Sequence, residues 1–180
     1  MLTGKEIAER NIIRNFLEEN IQQKGIDVRV CDIRKVNSTG GGMIPSGNSR
    51  KTKIPDTIDP SPAASYTYCY NPDGSKNLGW KLSPGYYEVM FDEGCDIPAD
   101  CAMYFKTRSS GIRCGIEVRS GLFDPGFKTE HMGAFIKVEL PVFIEEHARI
   151  AQVIIDSSSE AENLYNGQWQ GDNQRINIKK

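Results

Sequence analysis

Histidine is scarce in this chain: only His131 and His147 occur among 180 residues, and the five cysteines (31, 69, 95, 101 and 114) form no Cys-x-x-Cys pair. A structural zinc site is therefore not expected. Long apolar runs are missing too. None approaches the ~20 residues needed to span a bilayer, and the mean hydropathy is -0.48. Met1-Leu2-Thr3-Gly4-Lys5-Glu6 lacks the basic-then-apolar order of a secretion signal. A cytoplasmic protein with reduced, mostly buried thiols is the expectation. Cationic excess is absent as well, the formal net charge being -2. That argues against a polynucleotide-binding surface but not against one small polyanion, for which a few local cations suffice.

What is present fits a soluble globular chain: 38% hydrophobic and 26% charged residues. Its length predicts a single domain over 1–180. Thr3-Gly4-Lys5-Glu6 reads as a capping box, with Thr3 and Glu6 each satisfying the other's backbone amide. Ile7, Ile13, Phe16 and Leu17 then predict a helix near residues 4–18. Gly25-Ile26-Asp27-Val28-Arg29-Val30 alternates polar and apolar, the period of a half-buried strand. Residues 37–65 break the composition, with Gly40-Gly41-Gly42 and many Pro, Ser, Thr, Asn and Lys. They read as a polar insertion within the domain, its mobility and role left open. From residue 66 on, short strands alternate with Gly/Pro turns such as Asn71-Pro72-Asp73-Gly74, which predicts an all-β barrel or jelly roll.

Three segments carry chemistry. Arg108-Ser109-Ser110-Gly111-Ile112-Arg113-Cys114-Gly115 places two cations and two hydroxyls at a strand-to-turn junction. Hydroxyls and guanidinium forks make directed bonds to phosphate oxygens; a solvated turn is the plainer reading. Gly121-Leu122-Phe123-Asp124-Pro125-Gly126-Phe127 follows, with a carboxylate that either opens a turn or activates a water. Arg149-Ile150-Ala151-Gln152 begins a strand whose alternate residues face opposite sides, so Ile150 can pack while Gln152 reaches a ligand. The C-terminal stretch Tyr165-Asn166-Gly167-Gln168-Trp169-Gln170-Gly171 is a polar tail or a lid.

In order and spacing these segments resemble the signature of the dUTPase/dCTP deaminase superfamily, and most closely its archaeal-type dUTPases. The resemblance covers most of residues 1–30 and 83–175. It departs at Gly111, where relatives carry Leu, and at Leu164, where deaminases often carry a cation. The family implies a mainly β, distorted jelly-roll or β-barrel fold of the β-clip type, with a short N-terminal helix. It also implies a homotrimer with sites between subunits, a deoxypyrimidine triphosphate as substrate, and Mg²⁺ bound through that triphosphate rather than by protein metal ligands. On the same basis Arg108, Ser109, Ser110 and Gln152 would hold phosphates, and Gly121, Leu122 and Phe123 would frame the base. Asp124 would activate water, and Phe127 would stack on the sugar or pack in the core. The arm over 160–180 would close on the nucleotide through Tyr165, Gln168 and Gln170. Arg149 reads as a fold or subunit salt bridge.

The superfamily holds two chemistries. dUTPases split dUTP into dUMP and pyrophosphate. Deaminases attack C4 of cytosine with a Glu-activated water and no zinc, assisted by an arginine that corresponds to Arg113. The Glu would be Glu139, provided Ile136-Lys137-Val138-Glu139 aligns with a one-residue slip. Such a slip reverses the face of a strand residue, so Glu139 points into the pocket or away from it. The dUTPase reading is preferred. Deamination, alone or combined with pyrophosphate release, and a non-catalytic nucleotide sensor are the alternatives.

Overall fold

The computed structural model describes residues 1–37, 39–46, 51–58 and 66–171. Helix α1 (Gly4–Glu9) opens as expected: Glu6 N–H donates to Thr3 Oγ1 at 3.2 Å and Thr3 N–H donates to Glu6 Oε2 at 2.7 Å. It closes much earlier than residue 18. Asn11 takes a left-handed φ of 52°, its N–H donates to the Ala8 carbonyl at 3.0 Å, and Ile12 N–H donates to the Ile7 carbonyl at 3.3 Å. This is a Schellman reversal. Ile7 and Ile12 are both fully buried. Of the apolar residues attributed to a longer helix, Ile13 goes instead to a strand and Phe16 packs against the core, while Leu17 is exposed.

The chain continues through β1 (Ile13–Arg14), a 3-10 turn (Glu18–Asn20), β2 (Ile21–Gln22), β3 (Gly25–Val36), β4 (Thr57–Ile58), β5 (Tyr66–Tyr70), β6 (Lys76–Leu82) and β7 (Gly85–Phe91). β8 (Gly94–Asp96) and β9 (Cys101–Thr107) lead into a second short helix, α2 (Ser109–Arg113). β10 (Ile116–Arg119), β11 (Lys128–Thr129), β12 (Gly133–Val138), β13 (Val142–Glu145) and β14 (Arg149–Ser157) complete the order. The Ser-rich junction is thus a helical turn rather than an open one. Arg108 is its extended N-cap, and the helix ends ahead of Gly115, whose φ is 76°.

One eight-stranded sheet dominates, in the order β10-β12-β7-β3-β14-β9, with β2 and β4 also paired to β3. Its two ends approach each other. Val118 N–H of β10 donates to Thr107 Oγ1 of β9 at 2.8 Å, and Phe105 N–H donates to Ser120 Oγ at 3.1 Å. The sheet therefore curls into the near-closed barrel the sequence predicts, which limits exposed strand edge. Strand alternation fills the interior: Ile26, Val28 and Val30 of β3, Met103 and Phe105 of β9, Ala134, Ile136 and Val138 of β12, and Ala151, Val153 and Ile155 of β14. Smaller sheets, β13-β6-β5 and β1-β8-β11, flank it.

The polar insertion is not all loop where it is described. Met43 and Lys53 form a bridge, and β4 adds to β3. Residues 38, 47–50 and 59–65 of the insertion, and 172–180 of the arm, lie outside the described residues. All five cysteines are free, but only Cys95 and Cys101 are buried; Cys114, the C-cap of α2, is exposed. Burial pushes the thiols of Cys31 and Cys95 up to about 12. Among the described residues no helix is long and apolar enough to cross a membrane.

Candidate active site

Phe123 anchors the loop after β10. Its N–H donates to the Met103 carbonyl at 2.8 Å and its carbonyl accepts from Met103 N–H at 3.0 Å, tying the loop to the middle of β9. Asp124-Pro125-Gly126-Phe127 is then a tight turn: Phe127 N–H donates to the Asp124 carbonyl at 3.1 Å, and Gly126 takes a φ of 87°. Proline followed by a glycine of positive φ is the type II pattern. A side chain at Gly126 would be strained, and its Cβ would also lie 2.7 Å from Leu164 Cβ. The turn therefore presents Asp124 and receives the arm with the same few atoms.

The arm docks on this turn. Tyr165 N–H donates to the Pro125 carbonyl at 2.7 Å, Gln170 Nε2 donates to the Gly126 carbonyl at 2.8 Å, and Lys128 N–H donates to Gln170 Oε1 at 3.0 Å. Ring contacts run outward from the core through Phe91, Phe105, Phe123, Phe127 and Tyr165, with centroids 5.0 to 5.6 Å apart. Edge-to-face pairs of this kind add to simple area burial. Phe127 is accordingly buried in this stack while also lining the cavity.

A cavity of about 430 Å³ opens beside the turn. Of the residues singled out in the sequence, Gly121, Leu122, Phe123, Asp124, Phe127 and Tyr165 line it. Asp124 is exposed at its edge. The backbone groups of Gly121 and Leu122 have no hydrogen-bond partner among the described residues. They are unengaged donors and acceptors beside an aromatic-walled space.

Several lining residues were not foreseen. Trp169 lies inside the arm segment already noted, and an aromatic there was the available signal. Glu88 of β7 and Phe135 of β12 sit directly opposite each other, as do Phe135 and Arg119 of β10, so the three form a row on one sheet face. Strand alternation could have placed them once the pairing was known. His131 also lines the cavity and donates from Nδ1 to the Phe91 carbonyl at 3.0 Å, since a carbonyl can only accept. Ile54 comes from the polar insertion, which gave no hint of a wall residue.

The other sequence candidates lie elsewhere. Gln168 and Gln170 use their amides on the protein's own backbone and do not line the cavity. Glu139 follows the last residue of β12, with its side chain 57% exposed and paired to Lys137. Arg113 is exposed in the last turn of α2, and Ser109 and Ser110 are exposed in its first turn. Arg108 follows the last residue of β9, five residues beyond Met103 and about 17 Å away along the strand direction. Gln152 stands opposite Asp27 on one side and Lys106 on the other, on the face that Arg108 also joins. One chain thus carries a nucleoside-sized cavity and, separately, a cationic face with two serines.

Among the described residues no group of three or more His, Cys, Asp or Glu is placed to hold a metal. A dedicated cage of carboxylates is one way of binding Mg²⁺. An ion that arrives on a triphosphate needs no such cage.

The sequence and the fold are both similar to those of known proteins. The family profile described as dCTP deaminase-like matches residues 2–158. A deoxyuridine 5'-triphosphate nucleotidohydrolase of Methanocaldococcus jannaschii is 31% identical over 173 residues, covering 95% of this chain and 99% of that protein. A probable deoxyuridine 5'-triphosphate nucleotidohydrolase of Archaeoglobus fulgidus is 25% identical over 181 residues, covering 96% and 97% of the two chains. Among solved structures, a 2'-deoxycytidine 5'-triphosphate deaminase from Agrobacterium tumefaciens superposes with a TM-score of 0.58 at 15% identity over 87% of this chain. This chain spans about half of that one, 47%. The matching profile over most of the sequence, together with the near-closed barrel, establishes that the chain belongs to the dCTP deaminase-like family.

Proposed function

We propose that the protein is a dUTP diphosphatase, hydrolysing dUTP to dUMP and pyrophosphate. The observation that carries this reading is the cavity itself. An ionisable carboxylate, Asp124, stands at its edge next to the unengaged backbone groups of Gly121 and Leu122, with Phe127, Tyr165 and Trp169 as apolar walls. Backbone donors and acceptors can pair with the edge of a base, and aromatic rings can enclose it. The full-length likeness to nucleotidohydrolases acting on deoxyuridine triphosphate supports the same substrate.

In the proposed reaction Asp124 orients a water and takes its proton as the oxygen attacks the α-phosphorus. The bond from the α-phosphorus to the bridging oxygen breaks, and pyrophosphate leaves with the electron pair. Arg108, Ser109, Ser110 and Gln152 offset the charge developing on that leaving group. Mg²⁺ belongs to the substrate, chelated by the triphosphate. The arm, through Tyr165 and its docked glutamines Gln168 and Gln170, keeps water other than the nucleophile out.

The cavity and the cationic face do not share one opening in a single chain, which supports a homotrimer with each site built between subunits. The chain would act as one domain, in the cytoplasm. Deamination would instead need Glu139, with Arg113, beside the base. The exposed Glu139–Lys137 pair at the end of β12 gives that reading no support within one chain.

The test is incubation with dUTP and, separately, dCTP, with products resolved by chromatography. Release of dUMP and pyrophosphate from dUTP supports the diphosphatase. Formation of dUTP from dCTP without hydrolysis of dUTP establishes a deaminase, and binding without turnover establishes a sensor; either outcome defeats the reading.

A further inference from the structure

The deepest polar group on the cationic face is an acid. Asp27 of β3 is 2% exposed and stands directly opposite Gln152. Arg108 Nε lies 2.9 Å from its Oδ2, and Arg149 Nη1 lies 3.8 Å away. Yet Oδ2 accepts no directed hydrogen bond, so the contact with Arg108 is one of charge rather than of N–H alignment. Neighbouring Asn20, also buried, accepts from Arg149 Nη1 at 3.2 Å through Oδ1, while its Nδ2 is left without a partner. A buried carboxylate with an incompletely bonded oxygen is costly, and its presence calls for an explanation.

What depends on it is the orientation of Arg108. A guanidinium has five N–H donors on three nitrogens in a rigid plane. In Arg108, Nε is held at Asp27 and Nη1 donates to the Arg149 carbonyl at 2.9 Å. Nη2 has no partner among the described residues. Two of the three nitrogens are thereby fixed from inside the protein, and the third is left for a ligand. Ser109 and Ser110 begin α2 at the next positions, and Lys106 shares the face through its pairing with Gln152.

We infer that Asp27 is a positioning residue for phosphate binding: with the Arg149 carbonyl it fixes Arg108 so that its free Nη2 end meets an anionic oxygen. This rests on the phosphate role proposed above for Arg108. Asp27 touches no substrate and acts through Arg108. Loose arginine side chains lose rotamer freedom on binding, and fixing one in advance removes that cost.

The test separates positioning from simple structural support. Calorimetric titration with inorganic tripolyphosphate reads the face without any base or turnover, using the wild type, Asp27→Asn, Arg108→Ala and the double variant. Asp27→Asn should weaken binding roughly ten-fold, the scale of one charge-assisted hydrogen bond. In the Arg108→Ala background the same change should add almost nothing. Penalties that simply add would overturn the inference. Arg108→Lys provides a second route that leaves Asp27 intact, in case Asp27→Asn does not fold. Lysine keeps the charge but places all three donors on one nitrogen, without the planar fork that reaches Asp27, the Arg149 carbonyl and a ligand at separate points, so binding should fall nearly as far as in Arg108→Ala. Wild-type affinity in Arg108→Lys would show that charge alone matters and would overturn the inference. A wild type that hydrolyses dUTP while Arg108→Ala leaves tripolyphosphate binding unchanged would defeat it and spare the diphosphatase reading. A wild type that neither hydrolyses dUTP nor binds tripolyphosphate defeats both.

Discussion

Gln168 holds the backbone of Thr52 at both ends of its amide: Thr52 N–H donates to Oε1 at 3.0 Å, and Nε2 donates to the Thr52 carbonyl at 3.0 Å. The two residues are 116 positions apart. The contact joins the C-terminal arm to the polar insertion, and Ile54, two residues on from Thr52, is a wall of the cavity beneath. The insertion and the arm therefore close over the same space together.

Gln168→Ala should loosen that closure without disturbing the barrel. Two exposed hydrogen bonds are lost, each of a kind that contributes about 0.5–1.5 kcal/mol. The KM for dUTP should rise by roughly three- to ten-fold, while the melting temperature stays near that of the wild type. Steady-state kinetics and a thermal melt check both. An unchanged KM would mean that the clasp plays no part in retaining nucleotide.

Gly126→Ala acts on the other side of the arm. Its φ of 87° disfavours any side chain, and the new Cβ would lie 2.7 Å from Leu164 Cβ and 3.1 Å from Tyr165 N. Alanine where φ is positive costs about 1 kcal/mol or more. The arm should be displaced from the turn, visible as faster proteolysis within 160–171 than in the wild type. Equal protection would show that the turn tolerates the side chain.

Asp124→Asn keeps the shape of the turn and removes the base. Turnover of dUTP should fall by ~10²–10⁴-fold, with nucleotide affinity within a few-fold of wild type. Near-normal hydrolysis would sink the assignment of Asp124 as the group that activates water.

The candidate segments could be picked out in the sequence because each is a local run of residues. Asp124 and Phe127 could be nominated without knowing any partner strand, and the cavity does include them. What the sequence withheld is long-range. Helix α1 stops at Glu9 because Asn11 turns left-handed and both Ile7 and Ile12 are then taken into a core built by distant strands, which residue periodicity does not encode. Glu88, Phe135 and Arg119 become cavity neighbours only through strand pairing. Gln168 and Gln170 looked like ligand contacts because amides are good at that. In the fold those amides also find backbone partners, at Thr52, Gly126 and Lys128, which no local run of sequence reveals.

Glu139→Gln tests where the two chemistries of the family part. The side chain is more than half exposed and pairs with Lys137 on the surface. Exposed pairs contribute little, so dUTP hydrolysis should remain within a few-fold of wild type. A folded, assembled variant that loses dCTP turnover by ~10² or more would instead mark Glu139 as a general base and establish the deaminase.

Asp27→Asn should stabilise the fold at neutral pH even as it weakens anion binding. Burial raises the Asp27 carboxyl above its ordinary value, with Arg108 and Arg149 opposing that shift only in part. An acid whose folded pKa is raised holds its proton in the native state at a pH where the unfolded chain has already released it. Native stability is then full below the unfolded value of ~3.9, and it falls as pH rises from there through the raised folded value. Asparagine resembles the protonated form at every pH, so the variant escapes this loss. Glu93, also raised by burial, is common to both proteins and cancels in the comparison. The melting temperature of the variant minus that of the wild type should therefore grow between pH 4 and neutral, the reverse of what removing a stabilising ion pair would give. A difference that shrinks or turns negative over that range would mean that the two arginines outweigh burial and that Asp27 is held as a favourable ion pair.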